Sequence, residues 1–126
     1  MLPSVLLFVA AAAVAVWGGM HIVKTRPVVA GFEPLSDDNR YVLKMEWLIE
    51  GVALIFVAVL VASATWLLGL DTAGSRLIYG TSIGFLLTMS VVSLFTGAKA
   101  SPLPYKLCAP IFTSAAVLIF IGGFAL

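Results

Sequence analysis

Four apolar runs, each of about 20 residues, alternate with short polar segments along the chain. No Asp, Glu, Lys or Arg occurs in residues 2–23, 51–70, 77–98 and 107–126. An α-helix needs about 20 residues to cross a hydrocarbon core of roughly 30 Å, and in lipid each segment must satisfy its own backbone hydrogen bonds. The pattern therefore predicts an all-α, integral membrane four-helix bundle that forms one domain.

The residues between the runs set the expected helix bounds. Pro27 and Pro34 argue against one continuous helix between the first two runs. Ser36, a good N-cap, is followed by two acids that suit the positive end of a helix dipole, so the second helix should begin near Asp37 and end near residue 70. We expect the spans to cover residues 2–23, 47–70, 77–98 and 107–126, with residues 24–46 as a cytoplasmic segment.

Composition narrows the class of protein further. Apolar residues make up 62% of the chain and the mean hydropathy is +1.15, which excludes a soluble protein. A net charge of +1 gives no sign of nucleic-acid binding. The first run has no cationic residues before it and is long for a signal peptide, so we interpret it as an uncleaved span.

Basic residues predict the orientation in the membrane. With four spans, both termini share one side with the short loop that contains Arg76. The other side carries Lys24, Arg26, Arg40, Lys44, Lys99 and Lys106. Because basic residues in short loops mark the cytoplasmic face, both termini should lie on the non-cytoplasmic side of the plasma (inner) membrane.

The main candidates for chemistry are His21, Glu46 and Glu50. The two acids lie one turn apart on the predicted second helix, and His21 ends the antiparallel first span at the same level. Ionisable groups within spans are functional suspects, and an imidazole beside two carboxylates can exchange protons near neutrality. The alternative is structural: near the interface, these side chains can reach water or a basic partner and anchor the helix ends.

Other residues have a packing or interface interpretation. Lys24, Arg26, Lys99 and Lys106 flank spans and are candidates for binding anionic lipid headgroups, although topology alone would place them there. Gly80 and Gly84 form a small-xxx-small pattern, which favours helix packing within the bundle or, alternatively, an oligomer contact.

Metal and cofactor sites are not predicted. The single cysteine, Cys108, is expected to be a packing residue, and one His and one Cys far apart in the sequence give no known ligand spacing. No nucleotide-binding or hydrolase motif is present. We therefore expect no metal, no cofactor and no catalytic residue, and a role as an enzyme is not favoured.

The first half of the chain resembles the DoxX-like group of small four-span membrane proteins. In that group, a span ending in Gly and Lys precedes a loop with Phe and a second span that opens with Glu close to Gly. Here Gly18, Gly19 and Lys24 precede Phe32, and Glu50 precedes Gly51. The resemblance implies a membrane accessory component, including quinone-associated redox subunits, and singles out Lys24 and Glu50.

Taken together, these patterns favour an accessory or interaction subunit of a membrane complex. Its expected partners are the lipid bilayer and either other membrane subunits or further copies of itself. One alternative is an oligomeric, proton-linked small-molecule transporter or channel that uses Glu50 and His21. Another is a quinone-associated redox subunit of DoxX-like type, whose redox centre a partner would have to supply.

Overall fold

The structure, a computed structural model, describes residues 1–97 and 106–126. Its helices are α1 (Leu2–Ala30), α2 (Asp37–Ser63), α3 (Ala73–Thr96) and α4 (Cys108–Phe120), and π-helical turns extend α2 through Ala64–Leu68 and α4 through Ile121–Ala125. All four helices are long and apolar enough to cross a membrane. The prediction of an all-helical, multi-pass bundle is therefore confirmed at the level of helix number, length and composition.

The start of α2 agrees with the sequence. Ser36 is the N-cap, and its hydroxyl accepts a hydrogen bond from the Asn39 backbone N–H at 3.3 Å. Asp37 and Asp38 occupy the first turn, where the unpaired N–H groups of the helix favour negative charge. The helix with its π turn ends at Leu68, close to the expected residue 70.

α1 runs beyond residue 23, where the first apolar run ends, so helix occupies residues 24–30 as well as the expected residues from Asp37 onwards. α1 continues through Pro27 to Ala30, and only residues 31–36 form the connection to α2. Proline removes one backbone donor and strains the turn before it, but membrane helices tolerate it where neighbouring groups compensate. The Gly31 N–H closes the last turn on the carbonyls of Pro27 and Val28, so the helix ends one turn after the proline instead of before it.

The helices pack as an up-and-down bundle with two distinct ends. α1 packs chiefly on α2 and also on α4, while α3 packs chiefly on α4 and only lightly on α2. Residues 31–36 and the start of α4 lie at one end, here called the loop end. At the opposite, terminal end, residues near both chain termini and Asp71 and Arg76 surround an open cavity of about 250 Å³.

Side chains fill the centre of the bundle along its length. The fully buried members come from all four helices: Leu7, Val14, Leu54, Val61, Tyr79, Leu86, Phe112 and Ile119. Polar contacts join helices within this apolar core. The Tyr79 hydroxyl lies 3.0 Å from Thr65 Oγ1, and Ser90 Oγ donates to the Ala109 carbonyl on α4 at 3.1 Å.

Glycine marks the closest approaches between helices, but these are not the glycines predicted from the sequence. A Cβ built on Gly18 would lie 2.7 Å from the Gly51 carbonyl oxygen, and one built on Gly51 would lie 2.7 Å from that of Gly18. Gly122 comes equally close to the Pro3 carbonyl. These positions permit α1 to pack tightly on α2 at the loop end and on α4 at the terminal end.

The proposed packing pair on α3 is placed differently. Gly80 and Gly84 are both exposed, and a Cβ on Gly84 would meet no atom within 4 Å among the residues described. The nearest atom to a Cβ on Gly80 is the Phe124 ring edge, at 3.9 Å. The pair therefore lies on the outer face of α3, with Gly80 near Phe124 and Gly84 open, and both interpretations of the pair stay predictions.

Candidate functional site

Three side chains with metal-binding or acid–base chemistry meet at the loop end of the bundle, one each from α1, α2 and α4. His21 Nε2 lies 3.4 Å from Glu50 Oε1 and 4.0 Å from Cys108 Sγ. One ligand atom from each of the three residues falls within 4.8 Å of the other two. We refer to His21, Glu50 and Cys108 as the polar cluster.

The close crossing of α1 and α2 brings the first two members together. His21 follows Gly18 by nearly one helical turn, and Glu50 directly precedes Gly51, so both lie beside the point where the two backbones approach. A Cβ on Gly51 would also lie 3.2 Å from His21 Cβ and 2.7 Å from Ile22 Cγ1. The glycine at position 51 therefore leaves the space that the imidazole needs to reach Glu50.

The imidazole of His21 is held in one orientation. Its Nδ1 lies 2.9 Å from the Trp17 carbonyl oxygen, which can only accept, so Nδ1 carries a proton. The ring of Trp47 lies against it with centroids 4.7 Å apart, and the ring of Trp17 meets it edge-on at 5.6 Å. Thr25 Oγ1 donates to the His21 carbonyl at 2.7 Å. These contacts direct Nε2 towards Glu50 and Cys108.

Burial decreases from the histidine outwards. The side chain of His21 is 3% exposed and that of Glu50 is 23% exposed, while Cys108 is half-buried. With Nδ1 protonated, a neutral His21 presents a bare lone pair at Nε2. That lone pair and the oxygen of an ionised Glu50 repel each other at 3.4 Å unless a cation, either a proton or a metal ion, lies among the three groups.

The arrangement does not have the geometry of a nucleophilic triad. In a triad, the acid binds one imidazole nitrogen and the nucleophile binds the other. Here Glu50 and Cys108 share Nε2, and the Trp17 carbonyl occupies Nδ1. The cluster is instead a set of donor atoms that converge on one point.

The other predicted site residues lie outside the polar cluster. Glu46, expected beside Glu50, is exposed, and within residues 1–97 and 106–126 it makes no hydrogen bond or ion pair. Lys24, Arg26 and Lys106 are exposed, as lipid headgroup contacts require, and Lys99 falls outside the described residues. The expected trio of His21, Glu46 and Glu50 is thus reduced to a pair.

Sequence reasoning missed the third member of the cluster. Cys108 was expected to be a packing residue with no relation to His21, because 86 residues separate them in the chain. The antiparallel order of the helices could have predicted this contact, because it places the end of α1, the first half of α2 and the start of α4 at the same end of the bundle. Residues at those three positions share a level, whatever their separation in sequence.

The fold and the polar cluster are known from this chain alone. A search of protein-family models, curated proteins and solved structures with this chain finds no match to any of them.

Proposed function

We propose that this chain is an interaction subunit of a membrane assembly, and that it docks against a transmembrane helix of another protein through the outer face of α3. The observation that carries the proposal is the position of Gly80 and Gly84. Both are exposed and lie one turn apart on the outer face of α3, where the Phe124 ring comes near a Cβ at Gly80 only at 3.9 Å and no described atom comes within 4 Å of one at Gly84.

The use of glycine elsewhere in the molecule supports this interpretation. Glycine within a helix costs about 1 kcal/mol relative to alanine, so a close contact is the usual compensation. At the α1–α2 and α1–α4 crossings that compensation is visible within the chain. For Gly80 and Gly84, a helix from outside the chain would supply it.

The neighbouring hydroxyls leave the face suitable for packing. Thr81 Oγ1 donates to the Leu77 carbonyl at 2.9 Å, and Thr88 Oγ1 donates to the Gly84 carbonyl at 2.9 Å. Both hydroxyls therefore satisfy their donors within α3. The α3 segment that fits a membrane span is also the least buried of the four, at 22%, which leaves most of this helix available.

Purification in a mild detergent tests the proposal. We expect a stoichiometric partner protein to co-purify with the wild-type chain, and the double variant Gly80→Leu/Gly84→Leu to lose it. Gly19→Leu is the control on another helix, since a Cβ at Gly19, like one at Gly84, meets nothing within 4 Å. A lone, homogeneous homo-oligomer, or a partner retained by the double variant, would contradict the proposal.

One observation favours a second function, an oligomeric transporter or channel. The contact between His21 and Glu50 gives a polar group within a membrane-spanning pair of helices. Because side chains fill the bundle centre, a path for a solute would have to lie between chains. Reconstituted protein should then move a small solute, and Glu50→Gln should stop the flux while the fold is retained; unchanged flux would exclude this function.

The proposed orientation follows from the basic residues. Lys24, Arg26 and Lys106 are exposed near the loop end, whereas Arg76 near the terminal end is paired with Asp71 at 3.2 Å. We infer that the loop end faces the cytoplasm, where these bases meet anionic headgroups of the inner membrane. A reporter fused to the C-terminus should be active on the non-cytoplasmic side; activity on the cytoplasmic side would contradict the proposed orientation.

The quinone-associated alternative stays a prediction that follows from the resemblance to the DoxX-like group.

A further inference from the structure

We propose that the polar cluster is a binding site for a divalent transition-metal ion of the zinc class, with His21 Nε2, a Glu50 carboxylate oxygen and Cys108 Sγ as ligands. The inference is independent of the proposed subunit role. It rests on the geometry of three side chains from three helices.

The distances between the donor atoms suit a tetrahedral ion. Zinc binds His nitrogen and carboxylate oxygen at about 2.0–2.2 Å and Cys sulfur at about 2.3 Å, so ligand atoms should stand about 3.3 Å (N to O) and about 3.6 Å (N to S) apart. The observed separations are 3.4 Å from His21 to Glu50 and 4.0 Å from His21 to Cys108. All three ligand atoms lie within 4.8 Å of one another, so Cys108 Sγ would have to move towards the other two ligand atoms to close around an ion, whereas the His21–Glu50 separation already fits.

The histidine already has the supporting contact that metal ligands use. A ligating imidazole almost always donates its other N–H to a carboxylate, a carbonyl or water, which fixes the tautomer and raises the basicity of the ligand nitrogen. In this chain, Nδ1 donates to the Trp17 carbonyl at 2.9 Å, so in the neutral imidazole Nε2 carries the lone pair and faces Glu50 and Cys108. The indole rings of Trp17 and Trp47 keep the ring from turning away.

Charge selects an ion of charge two. An uncompensated charge is costly at a site that is largely shielded from water. Glu50 and Cys108, once the thiol has given its proton to water, contribute two negative charges, and the neutral His21 contributes none. A divalent ion makes the whole site neutral. A monovalent or trivalent ion would leave one unit of charge in the bundle.

The ligand types select the element. Magnesium and calcium prefer six or more oxygen ligands, which this cluster does not supply. Imidazole and thiolate favour zinc and its chemical neighbours. Three protein ligands leave one tetrahedral position open, as in zinc sites that exchange water or substrate. Glu50, 23% exposed, is more accessible than His21, 3% exposed, and marks the side from which the ion would enter.

Cobalt(II) is the probe that tests the site, because it takes zinc geometries and is coloured. Full-length protein in detergent should bind one Co²⁺ per chain and show a thiolate-to-cobalt charge-transfer band, which one equivalent of Zn²⁺ abolishes. Zinc should also slow alkylation of Cys108, the only cysteine in the sequence. Cys108→Ser should lose the band, and Glu50→Gln should weaken binding by at least about 10–100-fold, the loss usual for a supporting residue alone.

A matched control distinguishes the loss of a metal ligand from the loss of any nearby negative charge. Glu46→Gln removes an exposed acid one turn earlier on the same helix and should leave cobalt affinity unchanged. Circular dichroism of each variant confirms that it is folded, and Cys108→Ser changes one atom only. The proposal is overturned if the wild-type protein shows no charge-transfer band, if the spectrum persists in Cys108→Ser, or if Glu46→Gln and Glu50→Gln weaken binding equally.

Discussion

Replacing Gly51 by alanine should push α1 and α2 apart and separate His21 from Glu50. A Cβ at this position would lie 2.7 Å from the Gly18 carbonyl oxygen, roughly 0.7 Å short of the 3.4 Å at which ordinary contact begins. The carbonyl belongs to the helix backbone and cannot rotate away as a side chain would. If the helices separate by that amount, the His21–Glu50 contact lengthens from 3.4 Å to about 4 Å, the limit of an ion pair.

The size of the effect follows from two opposing contributions. An extra methyl group in a well-packed contact costs about 1–3 kcal/mol, whereas alanine in place of glycine gains about 1 kcal/mol of helix propensity. Gly19→Ala provides the reference, because its Cβ meets nothing within 4 Å and the variant gains propensity alone. We therefore expect Gly51→Ala to be about 1–3 kcal/mol less stable than Gly19→Ala.

Equilibrium unfolding in detergent micelles, followed by circular dichroism, measures this difference. Both variants should retain the helical content of the wild-type protein at low denaturant, and cobalt binding should weaken only in Gly51→Ala. If the two variants differ by less than about 0.5 kcal/mol, within the usual effect of a surface substitution, then the close α1–α2 crossing is not what holds the polar cluster together.

Three further changes test other contacts. Arg40 donates to Glu33 at 2.8 Å and lowers the pKa of that carboxyl. The pair therefore stabilises the fold at pH values above the ordinary pKa of glutamate, and this stabilisation is lost as the pH falls through the lowered pKa. In Arg40→Gln, unfolding midpoints recorded across acidic pH should lose this dependence, and a pH profile identical to that of the wild-type protein would contradict the prediction. Tyr79→Phe removes the buried hydrogen bond to Thr65 and should cost about 0.5–1.5 kcal/mol in denaturant unfolding, whereas no loss would mean that the bond is not formed. Ser90→Ala, between α3 and α4, should cost about 0.6 kcal/mol and no more than about 1.7 kcal/mol in the same assay; a larger loss would show that this residue does more than join two helices.

The sequence was sufficient for the elements that lipid and helix capping dictate. Uninterrupted apolar runs predicted four helices, and Ser36 followed by acids predicted the start of α2 at Asp37, because both signals are local. The end of α1 was missed, since the helix passes Pro27 and stops one turn later. Proline removes one backbone donor and strains one turn, but membrane helices tolerate it where neighbouring groups compensate, so a proline alone does not mark a helix end.

Contacts between helices were harder to predict, and the reason is physical. In a soluble helix, the buried face differs from the wet face in polarity, but lipid is as apolar as a bundle core, so the pattern does not show which side faces inwards. Gly80 and Gly84 have the sequence of a packing motif and yet lie outside, whereas Gly18 and Gly51 form the tight crossing. For His21 and Glu50, the antiparallel order of the first two helices predicted a common level, and the two side chains lie 3.4 Å apart.

The most direct test of the metal site is X-ray absorption spectroscopy at the zinc edge of the zinc-loaded protein. We expect one sulfur neighbour at about 2.3 Å and two or three nitrogen or oxygen neighbours at about 2.0–2.2 Å, with an imidazole contribution in the outer shells. The sulfur should vanish in Cys108→Ser. A shell of oxygen alone, or two or more sulfur neighbours from separate chains, would show that His21, Glu50 and Cys108 do not form one metal site.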